Sequence, residues 1–208
     1  MQHTLLQHLR KPMKKHTIAA TLMAFSSLCS TAVQADNLDY DFVQLGYAAG
    51  DYADIEPFDL KGPEFEASYE LSHNLFITGK YRSADDKISP YALDETNWQA
   101  GAGYYYNFRQ DTVFDARLYY GEIDFKLSDS EDSAKDGTHF FSLAGSVRHQ
   151  LTDAVELFGG LEVQKWHKGS NQKAYRLGAQ YAFGETKQFV LGAQYTKFSD
   201  SEWCKLFA

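Results

Sequence analysis

Little in this sequence could staple a fold or span a membrane in the usual ways. It has two cysteines, Cys29 and Cys204, in 208 residues, too few for a disulfide framework or a cysteine zinc site. It has only four prolines, so long strands are rarely interrupted. No run of about 18 apolar residues exists, which excludes an ordinary spanning helix. Cations are outnumbered, 20 against 28 carboxylates, for a net charge of −8. Such a chain lacks the clustered Lys and Arg that neutralise phosphates, which excludes nucleic acid as a partner. Aromatic residues are plentiful instead: 14 Tyr, 15 Phe and 3 Trp. A disordered chain does not carry that many.

The first 35 residues read as an export signal. Met1 to Lys15 carries Arg10, Lys11, Lys14 and Lys15 and no acid, and an apolar run covers 18–28. Ser30-Thr31-Ala32-Val33-Gln34-Ala35 then places small or β-branched residues at the −3 and −1 positions. That order fits a secretory signal cleaved after Ala35. Met13 offers an alternative start within it, and Leu28 before Cys29 argues against a lipid anchor. Loss of the four cations takes the charge from −8 to −12 and leaves Cys204 alone in a mature chain of residues 36–208. No intrachain disulfide is then available in the oxidising compartment beyond the membrane.

The mature chain alternates between apolar and polar residues, the signature of strands rather than helices. Alternation runs through 43–47, 65–71, 75–81, 98–108, 114–120, 141–151, 155–163, 175–183 and 189–195. These predict nine strands of roughly nine to fourteen residues. Soluble strands average about five or six, whereas a tilted membrane strand needs about nine to eleven. Short connections at 72–74, 109–111, 152–154 and 184–187 alternate with long ones near 49–60, 84–96, 126–137 and 167–173. Short turns on one rim and long loops on the other characterise outer-membrane barrels.

One hairpin can be written out. A turn at 72–74 pairs Leu71 with Leu75, setting Phe65 opposite Tyr81, Glu66 opposite Lys80 and Glu64 opposite Arg82. Opposed unlike charges favour that register, and a one-residue slip would send all four to the apolar face. The same construction at Leu151 and Val155 makes Arg148 a diagonal neighbour of Glu156. Period two alone leaves open which face is inside. A soluble lipocalin-like barrel would bury the Phe, Tyr and Leu face. Strand length, loop asymmetry and a polar face of Gly, Ser, Gln and paired charges favour the inverse. Aromatics at strand ends predict two interfacial girdles, with Trp98, Phe108 and Phe114 at one and Tyr47, Tyr81 and Trp166 at the other.

The chain resembles the small outer-membrane β-barrels of Gram-negative bacteria. Val43-Gln44-Leu45-Gly46-Tyr47 resembles the first strand of OmpA-like barrels. Closer is the ten-stranded family known as sulfation-dependent quorum factor proteins. It is similar in Tyr40-Asp41-Phe42-Val43-Gln44-Leu45-Gly46-Tyr47, in Asn97-Trp98-Gln99-Ala100-Gly101-Ala102-Gly103-Tyr104 and in Asp111-Thr112-Val113-Phe114-Asp115-Ala116-Arg117-Leu118. The resemblance covers essentially the whole mature chain and implies an antiparallel up-and-down transmembrane barrel in the outer membrane. It also implies contact with outer-membrane lipid and lipopolysaccharide, and with the barrel assembly machinery and periplasmic chaperones during biogenesis. It carries no activity onto particular residues. The end departs from the pattern. Ser199 to Glu202 reads as an outer loop, and 203–208 is too short for a full tenth strand, with Phe207 penultimate. A ten-strand plan with a truncated or frameshifted terminus is expected, with eight strands as the alternative.

No catalytic, metal or cofactor site is expected. His73 lies in a turn, His149 near a rim, and His139 and Ser142 have opposite strand parity and so face opposite sides. The acidic loops carry Asp51, Asp54, Glu56 and Asp59; Asp85, Asp86, Asp94 and Glu95; and Asp129, Glu131, Asp132 and Asp136. They lack the glycine placement of a calcium loop and read as solvated. Glu64, Glu66, Lys80, Arg82, Asp115, Arg117, Arg148 and Glu156 are expected to pair in the lumen, with Glu70, Glu162 and Arg176 beside them. Small barrels usually fill their interiors, so plugging is favoured over a narrow ion path. The expected molecule is a monomeric, non-enzymatic barrel with a structural or surface-interaction role. A narrow porin-like channel is the alternative, and a lipid-modifying enzyme the third class.

Overall fold

The computed structural model describes residues 38, 40–55, 57–129, 132–184 and 187–208. The expected signal at 1–35, and loop residues Glu56 and Glu131, lie outside the described residues. Ten antiparallel strands follow in chain order: β1 (Phe42–Tyr52), β2 (Asp59–Ser72), β3 (Leu75–Ile88), β4 (Tyr91–Arg109), β5 (Thr112–Ser128), β6 (Ser133–Thr152), β7 (Val155–Trp166), β8 (Gln172–Phe183), β9 (Phe189–Phe198) and β10 (Ser201–Phe207). Each pairs with its sequence neighbours, and β1 pairs with β10, so the sheet closes.

The alternation decides which face is inside. A single row of partners runs from Ser68 through Thr78, Gly101, Tyr119, Ser142 and Gln164 to Gln172. All of these except Gly101 are buried. The opposite parity is open: Leu161 is 71% exposed, Val43 70% and Leu118 65%. An outer face of Leu, Val, Phe and Tyr around charged, buried inner positions is the reverse of a soluble barrel. It is the arrangement of an outer-membrane barrel, with an even strand number and a polar interior. On β4 the outward residues from Trp98 to Phe108 span ten steps of ~3.3 Å, tilted by roughly 40°, for a band about 25 Å tall. That is the height of the apolar band in such barrels.

The tenth strand corrects the expectation of an outer loop and a stub. Residues Ser201, Trp203, Lys205 and Phe207 are buried, and Glu202, Cys204 and Leu206 face out. Seven residues suffice because the ladder to β1 runs only from Gly46–Phe207 to Tyr52–Ser201. Leu45 and Ala208 add a reciprocal backbone pair at 2.8 and 2.9 Å. The alternation is hard to see because a lysine fills an inward position and a cysteine an outward one.

The long loops are also corrected, because most of their length is strand. Only residues 89–90 separate β3 from β4, and 129–132 separate β5 from β6. These hairpins run on past the lipid band. Hydrophobic alternation reports surroundings rather than backbone, so it fades where the ladder enters water. At the other rim the 72–74 turn tightens to His73-Asn74, both left-handed (φ 52° and 66°), a geometry Asn and His tolerate better than most residues. Ser72 rather than Leu71 meets Leu75, through a bulge after Glu70, while Phe65–Tyr81, Glu66–Lys80 and Glu64–Arg82 keep the expected register. Thr152 likewise meets Val155 past a bulge.

Glycine in the strands makes room for phenyl rings. Phe76, Phe140, Phe158 and Phe207 stand opposite Gly103, Gly121, Gly178 and Gly192 on the next strand. A Cβ on those glycines would come within 2.2–2.6 Å of the ring. Each ring covers a strand position that has no side chain of its own.

Candidate functional site

Among the described residues, buried polar chemistry concentrates in the lumen, which is built in three layers. At the rim of the short turns, Tyr40 enters ahead of β1 and is 1% exposed. Its ring stacks on Tyr105 (4.6 Å, 8°) and packs on Phe76 at 4.3 Å. Its hydroxyl donates to Asp115 Oδ2 at 2.8 Å. Val113 and Leu38 complete this apolar plug. Asp41 accepts from the Glu70 backbone amide, and the Tyr105 hydroxyl donates to Glu70 at 2.8 Å.

Above the plug lies the charged layer. Arg117 Nε donates to Asp115 Oδ1 at 2.7 Å, and the Ser146 hydroxyl donates to Asp115 Oδ2 at 2.5 Å. Arg148 grips Glu156 with two bonds of 2.6 and 3.0 Å, and Gln180 donates to the same carboxylate. Glu162 accepts from Ser142, Gln164 and Arg176. Lys80 reaches Glu64 at 3.2 Å, the diagonal neighbour rather than its register partner Glu66. Lys205 of β10 contacts Glu64 at 2.7 Å, Glu66 at 3.2 Å and Gln44 at 2.6 Å. Charges taken out of water must be paired and hydrogen-bonded to be tolerated; here seven carboxylates (Glu64, Glu66, Glu70, Glu95, Asp115, Glu156, Glu162) face six cations (Lys80, Arg82, Arg117, Arg148, Arg176, Lys205).

The third layer closes the other end. Arg82 stands opposite Glu64 but binds Glu95, at 2.7 and 3.0 Å, with its guanidinium 3.4 Å above the Trp203 ring. Trp203, Leu60, Leu93, Ala48 and Ala84 form a buried apolar cluster, flanked by Tyr52, Ile55, Phe58, Phe125 and Phe198. Between the plugs a cavity of about 40 Å³ is lined by Glu64, Lys80, Gln99, Gln194 and Lys205 among others. That volume admits about three waters. A second, beside Arg117 and Arg176, holds about 10 Å³.

All eight lumen residues named from the sequence therefore meet inside the barrel. Glu95, Lys205 and Tyr40 complete the network. Glu95 reads as a loop acid in the sequence because the outward residues around it are already polar. Lys205 lies in a stretch too short to show clear alternation. Tyr40 precedes the first alternating stretch. The Ser142 hydroxyl is committed to Glu162 inside the lumen, while His139 lies on the outward parity.

The girdle residues separate differently from the two groups expected. Trp98 stands opposite Tyr81, so it belongs at the hairpin rim, ten residues from Phe108. Phe108 and Phe114 meet edge-on at 5.6 Å at the turn rim. Tyr47 and Tyr81 face outward. Trp166 does not: it shares parity with Glu162 and Gln164, donates its indole N–H to Gln164 at 3.1 Å and stacks on buried Phe140 at 4.9 Å.

The model of a family described as a protein of unknown function, DUF481, matches residues 63–202, from β2 into β10. The chain belongs to the DUF481 family. No curated protein matches its sequence. Among solved structures this DUF481 barrel is similar to the attachment invasion locus protein Ail of Yersinia pestis, at 10% identity over 79% of this chain and 91% of that one (TM-score 0.41). It is similar to the translocator domain of the autotransporter NalP from Neisseria meningitidis, at 11% over 79% and 85% (TM-score 0.48). It is also similar to the NanC porin, at 8% over 80% and 98% (TM-score 0.49).

Proposed function

We propose that this DUF481 protein is a closed, monomeric outer-membrane barrel without enzymatic activity, which acts through its outer face in envelope integrity or surface interaction. The observation that carries this reading is the filled lumen. A path for hydrated ions needs continuous aqueous width. Here apolar plugs stand at both ends, and the larger cavity between them has room for only a few waters. The paired charges that a channel would expose to solutes are spent on one another. The projecting β3–β4 and β5–β6 hairpins supply the surface that remains for partners, and the apolar band supplies the anchor. Assembly machinery and chaperones of the periplasm belong to the same reading, as the route by which such a band reaches lipid.

Planar bilayer recording tests it. Purified protein is expected to show no steady conductance; reproducible single-channel steps from the wild type would overturn the closed barrel in favour of a narrow pore. Fractionation tests the location. Recovery in the outer-membrane fraction, extracted only by detergent, is expected, and recovery in the soluble periplasm would end the membrane reading.

A further inference from the structure

On one side of the barrel lysines enter the outer girdle, beside the outward Tyr175–Tyr195 ring pair. Trp98 lies ten residues above Phe108 on β4, and Phe141 ten above Leu151 on β6; both face outward at the edge of the apolar band. Tyr120 stands between them, 5.8 Å from Trp98 and 5.2 Å from Phe141. The same height on β7 and β8 is occupied by Lys165, ten residues above Val155, and Lys173, ten from Phe183. Lys197 takes the outward parity near the end of β9.

The register brings these three together. Val163 pairs with Lys173, which puts Lys165 diagonal to Lys173. Tyr175 pairs with Lys197, which puts Lys173 diagonal to Lys197. Diagonal neighbours on one face lie about 7–8 Å apart, so the three lysine positions form a short row across three strands. Lys165 and Lys173 have no carboxylate partner among the described residues, and Lys197 shares only an exposed 3.3 Å contact with Glu202. Of the other outward lysines, Lys61 stands opposite Asp85, and Lys126 stands opposite Asp94 on one side and Lys135 on the other. His139 and His167 stack at 4.4 Å above the row and add ring N–H donors.

A lysine is tolerated on the lipid face only near an interface, where its cost falls to about 0–1 kcal/mol. Unmatched cations there attract anionic headgroups, each by about 1 kcal/mol. The row sits at the hairpin rim, which faces the outer leaflet in barrels of this plan.

We propose that Lys165, Lys173 and Lys197 form a binding site for the phosphate groups of a phosphorylated glycolipid of the outer leaflet. The site rests on the membrane reading above, and it names which lipid and which face.

The test uses full-length protein folded in detergent, with retained lipid counted by native mass spectrometry after titration with bis-phosphorylated lipid A or its dephosphorylated form. Wild type is expected to retain the phosphorylated form selectively. K165Q/K173Q is expected to weaken that binding about thirtyfold, from two headgroup contacts. K61Q/K126Q is expected to leave it unchanged. Equal retention of both lipids, an unaffected K165Q/K173Q, or an equal loss in K61Q/K126Q would each overturn the site. Heat-modifiability on gels shows that every variant is folded, so a failure of the barrel to enter detergent at all is read as a failure of the membrane reading, separately from the site.

Discussion

Tyr40 shows how much one side chain does at the turn rim. Its ring fills the plug and its hydroxyl satisfies Asp115, so the two roles separate by substitution. Tyr40→Phe keeps the stacking on Tyr105 and removes one buried hydrogen bond; a loss of about 1 kcal/mol in urea unfolding from lipid is expected. Tyr40→Ala also opens a cavity, and about 3–5 kcal/mol is expected. Arg148 and Glu156 admit a double-mutant cycle. Either single replacement by Met strands a buried charge and is expected to cost about 3–5 kcal/mol, while the double replacement costs much less. Additive losses would show that the two do not act as a pair. The diagonal contact of this pair was legible from the sequence, because both residues lie where hydrophobic alternation is strong. The Arg82–Glu95 contact was not: Glu95 lies beyond the lipid band, where polar residues occupy both faces and parity leaves no trace in composition.

Elements were legible in proportion to their exposure to lipid. The nine strands that cross the band announce themselves through Leu, Val, Phe and Tyr on every second position. The hairpin extensions of β3 to β6 continue the same ladder with outward Asp, Glu and Lys, and so read as loops. β10 was missed for a related reason, since four of its seven residues turn inward and include a lysine. Strand pairing is further specified by rings set over glycines. Gly178→Ala would bring a Cβ to 2.2 Å from Phe158 Cζ, and a loss of about 1–3 kcal/mol is expected from the displaced ring. Combining it with Phe158→Leu should relieve the ring's share of that loss and leave the 2.7 Å approach to the Ala193 carbonyl. An undiminished penalty in the pair, measured by the same unfolding assay, would mean that the alanine strains backbone rather than ring.

At the scale of the molecule, the outer-membrane architecture follows from strand length and connection asymmetry and plugging from barrel size, but which residues close the lumen does not. Whether inward side chains plug or line a channel depends on how they meet across the barrel, and period two says only that they point inward. Two distant segments make the decision, the residues ahead of β1 and the last strand. Opening both ends should therefore create a path. Tyr40→Ala combined with Trp203→Ala removes the ring at the centre of each plug, and small, steady conductance in planar bilayers is expected where the wild type shows none. Continued silence from a folded double variant would show that the charged layer seals the barrel by itself.

Lys205 sits at the far end of the chain from the carboxylates it neutralises, 139 residues from Glu66. Without β10, Glu64 keeps only Lys80 and the distant Arg82 as ion-pair partners on β3, and Glu66 loses the one it has, Lys205. An unfinished cylinder thus carries an electrostatic debt in its interior that arrival of the final strand settles. The pairing of β10 with β1 and the neutralisation of Glu64 and Glu66 by Lys205 are one event, a built-in test of completion.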